Sequence, residues 1–70
     1  MDKKLYWDSS YEIVQCLMDL YGEIDVESVG LDQLYMWVIN LSDFADDPEL
    51  VNDEILKGIL REWYEEVTAR

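Results

Sequence analysis

The sequence predicts a mainly α, compact three-helix domain, and three observations carry that prediction. Apolar residues recur at helical spacing in three separate stretches, a residue able to cap a helix stands ahead of each, and strong strand alternation is absent.

Asp8-Ser9-Ser10 precedes "YEIVQCLMDLYG". Any of the three can cap a helix, and Gly22 is placed to end it. Ile13, Leu17, Leu20 and Tyr21 recur as one apolar face. Glu12, Asp19 and Glu23, at i, i+7 and i+11, stack as an acidic stripe, with Asp25 following in the loop. "DVESVGLD" reads as a turn broken at Gly30. Asp32 is positioned to cap a second helix, "QLYMWVINL", whose apolar face is Leu34, Trp37, Val38 and Leu41.

Phe44, just beyond that helix, is expected to plug the core from the loop. Asp47-Pro48 has the acid-then-proline order of a helix opening, with Asn52 as a competing cap one turn later. The third helix then runs to about Glu66. It buries Ile55, Ile59 and Trp63, with Leu56, Leu60 and Val67 alongside. Glu54 with Lys57 and Arg61 with Glu65 are surface pairs at helical spacing. Gly58 costs ~1 kcal/mol relative to alanine and gives room for a neighbouring helix to approach. A short strand is compatible with Leu5–Trp7 or Val29–Leu31.

Seventy residues make one domain, spanning 1–70, with little spare core for elaborate architecture. Three tryptophans and five tyrosines separate the chain from a disordered acidic tail. Acids number 17 against 5 bases, for a formal charge of −12. Residues 5 to 56 contain thirteen acids and no base. Such a surface repels phosphates and anionic lipid and attracts cations and basic proteins. No nucleic acid and no membrane is therefore expected as partner. Cys16 is the one cysteine, which fits a cytoplasmic address and excludes an intramolecular disulfide. It reads as a partly buried structural thiol, since the chain has no histidine to activate it.

Catalysis is not expected. There is no nucleophile–base set, no glycine-rich phosphate loop, and no carboxylate set apart from the many others. Metal binding fits better. From Asp43, acids fall at the first, fifth and twelfth positions of a calcium loop, but Ala45 and Pro48 break the pattern at the third and sixth. What remains is a group of hard oxygen donors in "LSDFADDPELVNDE", able to hold Fe²⁺, Mn²⁺, Mg²⁺ or Ca²⁺ weakly. The structural alternative is that Asp46 and Asp47 cap the third helix. A DNA-reading role is opposed by the candidate recognition helix, Gln33 to Leu41, which has no Lys or Arg. An acidic DNA mimic, another acidic protein-interaction module and a stand-alone weak metal binder are the alternative functions.

Four segments together resemble the IscX (YfhJ) family of small acidic iron–sulfur cluster assembly proteins. They are "LYWDSSYEI", "LMDLYGEID", "WVINLSDFADDP" and "NDEILKGILREWYEE". The resemblance runs over nearly the whole chain and implies a modified winged-helix-like fold that does not bind DNA. It also implies a cytoplasmic adaptor that docks on the cysteine desulfurase IscS and tunes cluster assembly alongside or in competition with frataxin; a link to ferredoxin and a monomeric state are also expected. Position by position, it carries the partner face to Glu12, Asp19, Glu23, Asp25, Asp43, Asp46 and Asp47. Weak ferrous-iron contact is carried to Asp19, Glu23, Asp43, Asp46 and Asp47, with no tightly bound cofactor. At Gly30, Leu31 and Tyr35 the chain departs from the arginine, aromatic and histidine of the family pattern. Iron binding is thus expected through carboxylates alone.

Overall fold

Three α-helices and two single-turn 3₁₀ segments make up the computed structural model, which describes residues 4 to 69. The order is α1 (Ser10–Tyr21), a first 3₁₀ turn (Val26–Ser28), α2 (Leu31–Ile39), a second 3₁₀ turn (Pro48–Leu50) and α3 (Asp53–Thr68). The molecule is mainly α, as expected, and flattened to 29 × 28 × 16 Å. The winged-helix likeness remains an implication of the resemblance. The described residues carry one isolated parallel bridge, Leu5 with Phe44, and no strand. Leu5, allowed as a strand position, makes that bridge by donating to the Asp43 carbonyl (2.8 Å) and accepting from Ala45 (2.9 Å).

α1 buries Ile13, Val14 and Leu17, chiefly against α3. Leu20, expected in that face, is 63% exposed. At about 100° per residue, a face centred between Val14 and Leu17 leaves Leu20 at its edge. The helix ends one residue later, so no further turn draws Leu20 inward. Gly22 does close α1, in a right-handed conformation. Its value is steric, because a Cβ there would lie 2.7 Å from the Met18 carbonyl oxygen. Gly22→Ala should therefore lower stability by about 1 kcal/mol or more in urea unfolding.

α2 begins at Leu31 rather than after Asp32, with Gly30 at the N-cap position. Asp25 closes the first 3₁₀ turn by accepting from the Glu27 amide (3.1 Å), and Val29 then leads directly to the Gly30 carbonyl, which accepts from Leu34 (2.9 Å). Asp32 consequently lies inside the first turn. The other end is closed by the Asn40 side chain, which donates to the Met36 carbonyl at 2.7 Å. Leu41 is buried just past the helix.

Asp47-Pro48 opens only the second 3₁₀ turn, where Asp47 Oδ1 accepts from the Glu49 amide (3.0 Å). β-Branched Val51 takes an extended backbone, and Asn52 caps α3 by accepting from Ile55 (2.9 Å). The competing cap prevails, and neither Asp46 nor Asp47 caps α3. On α3, Leu56, Ile59 and Trp63 are buried, while Ile55 is half-buried and Val67 exposed. The pairs Glu54–Lys57 and Arg61–Glu65 are not closed among the described residues, as befits exposed pairs of small net value. Gly58 has nothing within 4 Å of an added Cβ, so no helix approaches it. Gly58→Ala is expected to stabilise the fold by ~1 kcal/mol, read as a raised denaturation midpoint with unchanged slope.

Two aromatic groups complete the core. Tyr21 stacks on Trp37 (centroids 4.1 Å apart), which meets the edge of Trp63 at 6.2 Å. Phe44 meets Trp7 edge-on at 4.8 Å, the plug the sequence predicts, and Tyr35 stacks on Trp7 at 6.3 Å. Such pairs each add about 1 kcal/mol beyond area burial. The Trp7–Phe44 pair joins the N-terminal segment to the acidic loop, on which the candidate site depends.

Candidate partner-docking face

The bridge between Leu5 and Phe44 brings the loop after α2 alongside the C-terminal half of α1. Between them lies a groove of about 390 Å³. Buried Leu5 and Leu41 line its base, with half-buried Cys16 and exposed Leu20 on α1. Asp19 on α1 and Asp43 on the loop are its two charged residues, both exposed and both acidic. An apolar floor between two carboxylates suits a long cationic side chain, whose aliphatic stem covers the leucines while its head meets the acids.

The sequence-nominated acids divide into two kinds. Asp46 is half-buried and engaged at both oxygens: Oδ2 accepts from the Trp7 amide (2.9 Å) and Oδ1 from the Asp47 amide (2.8 Å). Asp47 binds Glu49 through its side chain, while its carbonyl accepts from the Trp7 indole at 2.8 Å. Asp25 is likewise occupied, with Oδ2 accepting from the Ser28 hydroxyl at 3.1 Å. These three acids shape turns, although Asp25 and Asp47 remain exposed.

Asp19 and Asp43 make no such bonds and share the groove. Glu12 is half-buried in the first turn of α1. Glu23 lies beyond the end of α1 at Tyr21, so the expected stripe stops at Asp19. Among the described residues no three acidic or cysteine side chains converge as a metal-ligand group. Leu20, expected in the buried face of α1, lines this groove instead. Its position beside Asp19, at the margin of the apolar face, was the available signal.

A family model described as iron-sulphur cluster assembly matches residues 5–68. The chain belongs to that family, the IscX/YfhJ family. A relative in Pseudomonas aeruginosa, strain PAO1, "Uncharacterized protein PA3808", is 34% identical over 62 residues. The match covers 89% of this chain and 94% of the relative. Its name supplies no activity. The family supplies the role: an accessory protein of iron–sulfur cluster assembly, with partners in that pathway. No helix among the described residues is long and apolar enough to cross a membrane.

Proposed function

We propose that this protein is a cytoplasmic, monomeric IscX-like adaptor that docks on an IscS-type cysteine desulfurase and regulates sulfur delivery to the growing cluster. The observation that carries this reading is the groove in which Asp19 and Asp43 flank exposed Leu20, in a member of a cluster-assembly family. A basic patch on the desulfurase supplies the complementary charge, and Leu20 supplies a small apolar anchor. Docking there changes access by scaffold, frataxin or ferredoxin. Ferrous iron is held weakly, by one or two exposed carboxylates with water completing its shell, because the acids do not converge.

The test is calorimetric titration into a purified IscS-type desulfurase at low and moderate salt, with and without Fe²⁺. Binding at low salt that weakens as salt rises is expected, since the charge pairs lie at a solvated rim. Absence of binding at low salt, or affinity indifferent to salt, would sink the proposal.

A further inference from the structure

The first bases after residue 4 are Lys57 and Arg61, and the fold puts them at a second groove, away from Asp19 and Asp43. This groove, about 280 Å³, is the seam between α3 and the first 3₁₀ turn. Val26 is buried in it and Leu60 half-buried, while Tyr64 stands 43% exposed. Lys57, Arg61 and Tyr64 are spaced i, i+4 and i+7, so they form one stripe along the outside of α3. Glu27, on the 3₁₀ turn, is the one acid in the lining.

In a chain of charge −12, cations would be expected to find carboxylates. Yet neither Lys57 nor Arg61 has an ion-pair partner among the described residues. Arg61 also borders a neighbouring depression with Asp8, Glu54, Glu62 and Glu65, which compete for its guanidinium without closing a pair. Within the groove's own lining two cations face one acid, while Glu65 of the neighbouring depression stands about a helical turn from Arg61. Acids beyond about 8 Å are screened at physiological salt, whereas Lys57 and Arg61 stand in the lining itself, where a ligand touches them. The volume lies just below the range of small-molecule pockets and suits a single apolar side chain.

We infer that the seam between α3 and the first 3₁₀ turn is a second docking site, for an acidic peptide segment that inserts one apolar or aromatic side chain between Val26, Leu60 and Tyr64. Lys57 and Arg61 meet the carboxylates flanking that side chain, and Glu27 opposes them. The molecule then has two faces of opposite preference: one for a basic partner at α1 and the acidic loop, one for an acidic segment at α3. This site does not depend on the identity of the partner bound at Asp19 and Asp43.

The test is an amide-shift NMR titration of the full chain with a capped peptide of two glutamates on either side of a phenylalanine. Saturable shifts confined to residues 26 to 29 and 57 to 64 are expected. Lys57→Gln combined with Arg61→Gln should weaken binding by about fivefold or more, and Glu27→Gln should strengthen it by about threefold. Both cations are exposed, so the double variant should retain its helical circular dichroism. The inference is overturned by no saturable shift, by equal binding of a peptide with serine for phenylalanine, or by unchanged binding in the folded double variant. Shifts at the same residues on concentrating the protein alone would also overturn it, because a second copy would then be the occupant.

Discussion

Reversing Asp19 and Asp43 to lysine is expected to weaken desulfurase binding by about 25-fold, equivalent to ~2 kcal/mol, while leaving the thermal midpoint almost unchanged. Each reversal removes an attraction and installs a repulsion at the rim of the same groove. Neither side chain accepts a hydrogen bond within the described fold, so folding loses little. Leu20→Ser should reduce affinity as well, by removing the exposed apolar contact. Its cost in stability should stay within about 0.5 kcal/mol, because Leu20 is already 63% exposed. Calorimetry of the variants against the same desulfurase, with circular-dichroism melts beside it, reads both quantities. If the charge reversals abolish binding but Leu20→Ser does not weaken it, the docking is electrostatic and the groove is not its centre. Full affinity in the double reversal would remove this face from the interaction.

Asp46→Ala should behave in the opposite way, costing about 2–3 kcal/mol of stability. Its carboxylate ties two backbone amides, and one of them, that of Trp7, is 39 residues away in sequence. Removing it strands a part-buried donor and loosens the N-terminal segment from the acidic loop. In a domain of this size that is roughly 10–20 °C in the thermal midpoint. Asp43→Ala, three residues earlier, should move the midpoint by no more than a few degrees, because its side chain is exposed. Comparing the two melts separates the acids that build the loop from those that face outward. Equal shifts would refute that division. A loss of desulfurase binding by Asp46→Ala measured at a temperature where the variant is folded would give Asp46 a direct contact role.

Much of this architecture was legible in one dimension. Each helix announced itself by apolar periodicity, because a helix needs only one buried stripe and local capping to be favourable. The Phe44 plug and the two competing caps before α3 were visible too, since both rest on residue chemistry within a few positions, though which of the caps prevails was not. The limits of the helices were less so. Asp32 and Asp47 are good caps, but Gly30 and Asn52 occupy the cap positions, and the turns at Asp25 and Asp47 decide where each chain segment becomes free to wind. Leu20 was misplaced for a related reason. Periodicity marks the direction of a face but not how far the neighbouring helices extend along it.

The site divided along the same line. Sequence by itself determined that the protein is small, helical, strongly acidic and a member of a cluster-assembly family, because composition, periodicity and the order of motifs need no coordinates. Tertiary structure alone decided which acids are available. Asp43, Asp46 and Asp47 are nearly adjacent and chemically identical in sequence. A hydrogen bond from Trp7, nearly forty residues upstream, holds the half-buried Asp46, while Asp43 stays exposed in the groove that it shares with Asp19. That distinction rests on hydrogen bonds whose partners meet only when the chain has folded.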